Sequence, residues 1–380
     1  CDHACAHCGS RAVKARPNEL DTVELLDVAD QLVRLGFREV TLIGGEAYLR
    51  PECADVVRRL ADGGVRVTMQ TGGRGFTVDR ARTLAEAGLA AIGVSIDGIE
   101  AEHDQLRNAP GSHRAALAAL DVARDVGLIT TTNSQINRLN RHSLPEMIGQ
   151  FRERGVRAWR GQLTVPMGRA ADRPEWILQP WMILQVIDTL AELQLAEVAR
   201  VRQAGLPPSA AMRIQAGNNL GYYGPHEVTL RSRPGGETSW WTGCKAGRYT
   251  MGIESDGAVK GCPSLPTAPY VGGNVRDLSL EDLWRDSEVV GFTRGRGVDE
   301  LWGFCATCEY AETCLAGCSF TAHCTLGRRG NMPFCYHRAS TLRKRGVRER
   351  LVPVEQAGGT PYDFGRFEII EEPWPGLGAK

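Results

Sequence analysis

Apolar residues recur in two alternating patterns over residues 20–165, and each pattern predicts one kind of element. Asp21 followed by Glu24 is typical of a helix N-terminus, and apolar residues at helical spacing follow it as far as Gly36. The apolar run 37–43 is rich in β-forming residues and ends at a glycine pair, which predicts a strand. The alternation then continues. It predicts helices near 51–62, 79–87, 113–126 and 143–154, and strands at 65–70, 91–95, 129–135 and 158–165.

Strands that alternate with helices form parallel βαβ units. Their number and spacing predict an α/β fold, a partial (β/α)6 TIM-like barrel, in which the loops after the strands form one shared active-site face. We place this barrel in residues 1–178. A helix-like segment near 179–204 follows, and then a stretch rich in Gly, Pro, Asn, Tyr and Trp without a clear period. We assign residues 179–240 as a helix and connecting region.

The C-terminal third of the chain is dense in cysteine. Eight of the 12 cysteines lie from Cys244 to Cys335, among short strand-like pieces and turn signals. We predict a small cysteine-rich domain at 241–340. Residues 341–380 are predicted to be a tail, with an arginine-rich helical start at 343–350 and a loose acidic end.

Composition and charge narrow the class of protein. The 380 residues are 42% hydrophobic and 24% charged, as in a soluble protein of two or more domains. The formal net charge of +0 gives no electrostatic reason to expect nucleic acid or a membrane as partner. Without an apolar run of about 18 residues or a signal-peptide pattern, we expect a cytoplasmic protein. Because the sequence opens directly on Cys1, we also expect that residues ahead of it are missing.

The first eight residues contain the most specific chemistry. Cys1, Cys5 and Cys8 form a CxxxCxxC triplet, in which three sulfurs can converge on one metal centre. Structural zinc sites and ordinary ferredoxin clusters use four protein ligands, so three thiolates leave one position open for an outside ligand. These spacings in a chain of this size favour metal over disulfides. We therefore predict that the triplet is the catalytic centre.

Two later motifs give this triplet a family context. Gly44-Gly45-Glu46 follows the first predicted strand, and Ser95-Ile96-Asp97-Gly98 ends a later one. In this order behind CxxxCxxC, they resemble the radical SAM family. With the C-terminal cysteines, the chain resembles the SPASM subgroup of that family. The resemblance implies a [4Fe–4S] cluster on Cys1, Cys5 and Cys8 whose unique iron binds S-adenosylmethionine. Reductive cleavage of that cofactor gives a 5′-deoxyadenosyl radical.

The residue types at the glycine loop suit such a cofactor. Gly44 and Gly45 allow the backbone to approach a ligand closely, and Glu46 offers a carboxylate to an ammonium group. In the family's pattern, Glu46 faces the amino group of the methionine part of the cofactor.

The same resemblance implies four further contacts with the cofactor. Ser95 and Asp97 supply polar groups at the end of a strand, where the family binds the ribose. His7 resembles a ring-bearing position beside the adenine, with a simply solvated histidine as the alternative. Arg107 resembles a contact to the cofactor's carboxylate, with an ordinary arginine on a helix surface as the alternative.

The C-terminal cysteines follow the seven-cysteine SPASM pattern, which implies two auxiliary [4Fe–4S] clusters. One would be held by Cys305, Cys308, Cys314 and Cys335, and the other by Cys244, Cys262 and Cys318. The second set has three ligands, so its cluster has an open iron or borrows a ligand such as Cys324. Structural zinc is the competing interpretation of these cysteines, because CxxC pairs often bind zinc. The N-terminal motifs favour iron–sulfur clusters.

Three further features have both a functional and a structural interpretation. Cys53 is a buried small residue or a hydrogen donor to a radical. The aromatic stretch 218–226 lines a substrate path or is a turn-rich connector that packs its tyrosines. Glu254 or Asp256 is a base beside an auxiliary cluster or a solvated hairpin carboxylate.

The leading prediction is an enzyme that modifies a ribosomally made precursor peptide by a carbon–carbon or thioether cross-link. A radical SAM dehydrogenase or epimerase acting on a small molecule or peptide is the first alternative. A metal-binding protein without catalysis is the second. The implied cofactors are S-adenosylmethionine and three [4Fe–4S] clusters, one of them the cofactor-binding cluster and two auxiliary. The implied partners are the precursor peptide and a reductant such as ferredoxin or flavodoxin, with a separate peptide-recognition protein as an optional third.

Overall fold

A computed structural model describes residues 1–375 of the chain. Within that range the strands are β1 (Glu39–Leu42), β2 (Arg66–Thr71), β3 (Leu89–Ser95), β4 (Ile129–Ile136), β5 (Ala158–Leu163), β6 (Arg213–Ala216), β7 (Gly252–Ile253), β8 (Ala258–Lys260), β9 (Val271–Asn274), β10 (Val347–Glu355) and β11 (Arg366–Pro373). Strands β1 to β6 form one sheet in sequence order, β7 to β9 a second sheet, and β10 with β11 a third.

The α-helices alternate with the strands of the first sheet and continue through the cysteine-rich segment. They are α1 (Thr22–Arg34), α2 (Cys53–Asp62), α3 (Val78–Glu86), α4 (Glu100–Arg107), α5 (Ser112–Asp125), α6 (Leu144–Glu153), α7 (Ile183–Gln203), α8 (Glu227–Arg231), α9 (Thr267–Tyr270), α10 (Leu280–Asp286), α11 (Ala311–Cys314), α12 (Ser319–Leu326) and α13 (Tyr336–Lys344). No helix within residues 1–375 is both long enough and apolar enough to cross a membrane.

The predicted α/β architecture is confirmed. Strands β1 to β4 pair in parallel, as do β5 and β6. The first helix begins at the predicted capping box, in which the Asp21 side chain accepts from the Glu24 amide and the Glu24 side chain accepts from the Asp21 amide. This box fixes the start of α1 just before the strand that leads to the glycine loop.

The chain divides into two compact units. The first contains residues 1–133, 149–157 and 245–294, and the second contains 134–148, 158–244 and 295–380, of which residues up to 375 are described. The core of the first includes Val67, Met69 and Ile92, and the core of the second includes Trp159 and Ile214, all fully buried. The predicted domain boundaries at 178, 240 and 340 remain predictions.

Two segments differ from the sequence-based expectation. The connecting region contains a sixth strand, β6, whose four residues are too few to show a period. The buried Gln194 side chain of α7 holds it, because its oxygen accepts from the Ile214 amide at 2.6 Å and its nitrogen donates to the Met212 carbonyl.

The C-terminal tail is also more ordered than expected, and its predicted helical start is wrong. The helix α13 ends at Lys344, and residues 347–355 form strand β10, which pairs antiparallel with β11. Arg348 and Arg350 both bind Glu372 across this hairpin. The remaining residues of the predicted tail, 376–380, lie outside the described range.

Candidate functional site

The CxxxCxxC loop brings its three thiols into a short turn at the start of the chain. The Cys8 amide donates to the Cys5 carbonyl at 3.2 Å, and the Ala6 amide donates to the Leu106 carbonyl at 2.8 Å. Cys5 is buried, whereas Cys1 and Cys8 are partly exposed. Burial raises the pKa of the Cys5 thiol, against the opposing effect of Arg107. A metal centre would supply the charge that keeps a buried thiolate ionised.

The glycine loop is fitted to this turn. Gly44 has a φ of 125°, which residues with a side chain rarely adopt. A Cβ atom on Gly45 would lie 2.7 Å from Cys1 Cβ, closer than any van der Waals contact. The loop after β1 therefore reaches the first cysteine only because position 45 has no side chain.

The carboxyl group of Glu46 is buried beside this contact. Its Oε2 accepts a hydrogen bond from the Gly72 amide at 3.0 Å, while Oε1 is buried without a hydrogen-bond partner among residues 1–375. Burial raises the pKa of Glu46 to about 7. An ammonium group of a ligand would both satisfy Oε1 and favour the ionised carboxylate. The residues present thus fit the amino group of S-adenosylmethionine.

Asp97 is the centre of a buried ion-pair network. Arg107 Nη2 lies 2.6 Å from Asp97 Oδ2, and His7 Nε2 lies 3.3 Å from the same oxygen. His7 also donates from Nδ1 to the Leu106 carbonyl at 2.9 Å. Although burial alone would raise it, the Arg107 guanidinium and His7 hold the pKa of Asp97 well below its usual range.

The network corrects two alternatives from the sequence. Arg107 is not an arginine on an exposed helix surface, because it is buried and also donates from Nη1 to Cys5 Sγ at 3.8 Å. His7 is not a solvated loop histidine, because both ring nitrogens have protein partners. Ser95 is the last residue of β3, partly exposed and opposite Asn133 of β4. The structure thus joins Cys5, His7, Asp97 and Arg107, and separately Cys1 and Gly45.

A second cysteine site lies within the second compact unit. A cavity is lined by all four cysteines predicted for one auxiliary cluster, namely Cys305, Cys308, Cys314 and Cys335. Aromatic side chains complete the lining, among them Tyr222, Tyr223, Phe304 and Tyr310. Burial raises the pKa of each of the four thiols, for Cys314 to about 12. These thiols need a metal partner in order to ionise.

Two of these four sulfurs accept a hydrogen bond from the main chain. The Met332 amide donates to Cys305 Sγ at 3.4 Å, and the Tyr310 amide donates to Cys308 Sγ at 3.5 Å. The Gly317 amide donates to the Cys314 carbonyl at 3.2 Å, and Cys335 Sγ donates to the Tyr222 carbonyl at 3.6 Å. Hydrogen bonds to the sulfurs are one of the protein's ways of setting the potential of an iron–sulfur cluster.

The four cysteines of this cavity are not grouped around the position of a single metal ion. Within residues 1–375, no three His, Cys, Asp or Glu side chains are grouped closely enough to hold a single metal ion. A cubane cluster binds each thiolate through a different iron, so its ligands surround a larger volume than those of one zinc ion. Ligation of a cluster or of zinc by these four cysteines remains a prediction.

The other predicted auxiliary set is divided between the compact units, and its ligation remains a prediction. Cys262 belongs to the first unit, and Cys244 and Cys318 belong to the second. The Cys318 amide donates to the Tyr222 hydroxyl at 3.1 Å. Cys324 is fully buried in α12, and its Sγ lies 3.8 Å from Met167 Sδ.

The remaining sequence features take the following places. Cys53 is buried at the start of α2, and burial raises its pKa to about 11. Tyr222 and Tyr223, from the aromatic stretch, pack in the wall of the four-thiol cavity, and Tyr223 stacks on Tyr310 with ring centroids 4.2 Å apart. This packing favours the connector interpretation of residues 218–226.

The hairpin carboxylates differ from each other. Glu254 is not solvated, because its buried carboxylate pairs with both Lys260 and Arg16. Asp256 is partly exposed and pairs with Arg16 at 3.1 Å.

Sequence reasoning missed three residues that complete these sites. His3 is buried in the cysteine loop, and neither ring nitrogen has a hydrogen-bond partner among residues 1–375. Gly72, which donates to Glu46, belongs to a second glycine pair at the end of a strand, and that position was a usable signal. In the second unit, buried Glu349 binds Arg338 with both carboxylate oxygens at 2.7 Å. That pair gives no signal in the sequence, because its members lie on different elements.

A three-thiol loop with a buried, half-satisfied carboxylate and a four-thiol cavity define an iron–sulfur enzyme on a parallel α/β sheet. Comparison with known families agrees. Residues 1–148 match the radical SAM superfamily, and residues 244–309 match the SPASM iron–sulfur cluster-binding domain. The chain belongs to the radical SAM superfamily and carries a SPASM domain, which confirms the predicted family.

The similar proteins include a heme synthase and two peptide maturases. An AdoMet-dependent heme synthase of Methanosarcina barkeri is 28% identical over 341 residues, covering 89% of this chain and 94% of the relative. Mycofactocin maturase MftC of Mycobacterium tuberculosis is 27% identical over 387 residues, covering 99% of this chain and 88% of the relative. Streptococcus suis SuiB, solved with its precursor peptide SuiA, shares the fold at a TM-score of 0.62 and 14% identity, over 88% of this chain and 72% of SuiB.

Proposed function

We propose that this enzyme holds a [4Fe–4S] cluster on Cys1, Cys5 and Cys8 and binds S-adenosylmethionine there. When bound, the cluster supplies the electron that cleaves this cofactor to methionine and a 5′-deoxyadenosyl radical, which abstracts a substrate hydrogen. The buried Glu46 Oε1 without a partner, on the loop that packs against Cys1, is the observation that supports this assignment most directly. Gly44 and Ser95 complete the proposed contacts to the cofactor, and His7 and Asp97 line the same site.

We further propose that the substrate is a ribosomally made precursor peptide, cross-linked through a carbon–carbon or thioether bond. The match to the mycofactocin maturase extends over 99% of this chain and so includes the SPASM region and the segment that follows it. Closing a cross-link leaves a product radical, which would lose one proton to solvent and one electron to a proposed auxiliary cluster. Cross-linking is favoured over epimerisation, because epimerisation needs a hydrogen atom returned to the substrate and the Cys53 thiol, buried at the start of α2, is a poor donor for it.

The second candidate substrate is a tetrapyrrole precursor of heme. It rests on the 28% identity to the heme synthase, which extends over 89% of this chain. The two candidates share the chemistry of cofactor cleavage and differ in the molecule that loses hydrogen.

One anaerobic experiment separates these proposals. Reconstituted enzyme is incubated with S-adenosylmethionine, a reductant such as flavodoxin, and either the peptide of a neighbouring small open reading frame or a heme-precursor tetrapyrrole. A peptide that loses two hydrogens, together with 5′-deoxyadenosine, is the expected result, and Cys8→Ala is the matched control without product. Conversion of the tetrapyrrole alone would replace the peptide proposal by the second. Zinc in place of iron and sulfide, with no 5′-deoxyadenosine, would exclude both.

A further inference from the structure

The guanidinium of Arg107 lies between a buried carboxylate and a cysteine sulfur. Nη2 is 2.6 Å from Asp97 Oδ2, and Nη1 donates to Cys5 Sγ at 3.8 Å. The Asp97 side chain is fully buried and that of Arg107 is 10% exposed. Since a guanidinium presents its N–H groups in a rigid planar fork, the bond to Asp97 determines where Nη1 points. It points at the middle cysteine of the triplet.

Asp97 is itself held from two further directions. Its backbone amide donates to His103 Nδ1 at 3.0 Å, and His7 Nε2 lies 3.3 Å from its carboxylate. His103 is fully buried, and burial lowers its pKa to about 3, so its ring stays neutral and can accept this bond. The carboxylate that orients Arg107 therefore has a fixed position before any ligand arrives.

A positive donor at a ligand sulfur has a predictable electronic effect. Reduction of a cluster adds negative charge that is shared with its sulfur ligands, and a hydrogen bond from a cation stabilises that charge. Partners of the ligating atoms are known to tune metal sites in this way. In water this effect would be small, but the burial of Asp97 and Arg107 strengthens it.

We propose that Arg107 is a positioning residue for the cluster rather than the carboxylate contact of S-adenosylmethionine. It hydrogen-bonds the Cys5 thiolate and raises the reduction potential of the [4Fe–4S] cluster, with Asp97 as its anchor. The inference rests on the proposed ligation of that cluster by Cys1, Cys5 and Cys8.

The test is a redox titration of full-length, cluster-loaded enzyme without S-adenosylmethionine. The reduced cluster is followed by electron paramagnetic resonance, and its signal is identified as the one that Cys5→Ala lacks. Arg107→Lys retains a charge but cannot serve Asp97 and Cys5 with one planar fork. We expect a tenfold lower ratio of reduced to oxidised cluster at a fixed solution potential, which corresponds to about 59 mV for a one-electron couple.

Two further variants make the result interpretable. The double variant Asp97→Asn, Arg107→Gln removes both charges of the pair and avoids leaving a buried carboxylate unpaired, so it remains usable if Arg107→Lys does not fold. It should show a shift in the same direction. Arg74→Lys is the matched control, because exposed Arg74 donates to the Asp2 carbonyl of the same loop at 3.0 Å. Its titration should coincide with the wild type.

The outcomes separate this inference from the proposed function. If the cluster of Arg107→Lys has the same reduction potential as that of the wild type, the inference is overturned. If the same variant also binds S-adenosylmethionine more weakly, Arg107 is a contact of the cofactor instead. A wild type with no [4Fe–4S] signal that depends on Cys5 would overturn the proposed function itself, and this inference with it.

Discussion

The two cysteine sites satisfy their sulfurs in different ways. In the N-terminal loop, Cys5 is bonded by the Arg107 side chain, and Glu46 beside it has one oxygen without a partner among residues 1–375. In the four-thiol cavity, the sulfurs of Cys305 and Cys308 accept from main-chain amides, and both oxygens of the nearby Glu349 carboxylate accept from Arg338. The carboxylate at the first site has an oxygen available for a ligand, whereas the carboxylate at the second is fully used by Arg338. An unsatisfied buried polar atom thus marks the site that would bind a ligand beyond its metal centre.

The largest expected effect comes from removing a thiol of the N-terminal loop. Cys5→Ala should reduce the formation of 5′-deoxyadenosine to background, because two thiolates cannot hold the cluster with an open iron. Iron and sulfide should fall by the content of one cluster, measured chemically, while the auxiliary clusters stay loaded. Cofactor cleavage that persists in this variant would refute the assignment of the triplet.

Removing a thiol of the four-thiol cavity should have a narrower effect. Cys335→Ala should lose the auxiliary cluster and the modified product but keep 5′-deoxyadenosine formation, because the N-terminal loop is unchanged. Chromatography of the nucleoside and mass spectrometry of the peptide measure the two activities. Cys53→Ala, which belongs to neither site, is the control with full iron content. Loss of cofactor cleavage in Cys335→Ala would remove the distinction between the sites.

The smallest effect concerns pH and the half-satisfied carboxylate. With a pKa of about 7, Glu46 is mostly protonated below that pH, so affinity for S-adenosylmethionine should fall by up to about tenfold per pH unit below 7.

The contribution of Glu46 to the free energy of unfolding without the cofactor should change with pH in the opposite direction. Because the folded pKa lies above the ordinary value of 4.5, this contribution is present below pH 4.5 and is lost as the pH rises through 7.

Calorimetric titration from pH 5.5 to 8 measures the affinity. Glu46→Gln should bind the cofactor more weakly at every pH and without this slope. A slope that survives in Glu46→Gln would show that another group titrates.

Local patterns predicted most of the fold, because strand and helix signals in residues 20–165 agree with the tertiary structure. These patterns gave the wrong element, or none, where the secondary structure depends on contacts with a segment far along the chain. The segment 343–350 carries charges that suit a helix surface or a strand equally, and β11 selects the strand by pairing with it. Strand β6 is held by Gln194 of α7, a contact that no window of sequence contains.

In the candidate sites, too, some residues could be predicted from the sequence and others could not. The resemblance to the SPASM cysteine pattern grouped the four cysteines that the structure places around one cavity. The partners of Asp97 could not be found in this way. It is polar and follows a strand, as a ribose contact would be, but α4 brings Arg107 to it and the cysteine loop brings His7.

The amide donors to Cys305 and Cys308 are insensitive to most mutations. A substitution of Tyr310 or Met332 alters the lining of the cavity but leaves the amide that bonds the sulfur, with proline as the exception. Mutation can therefore reshape access to the cluster while its hydrogen bonds persist. In the N-terminal loop a single codon change at Arg107 removes the hydrogen bond to Cys5 Sγ. Mutation there changes the charge environment of the sulfur more readily than the shape of the site.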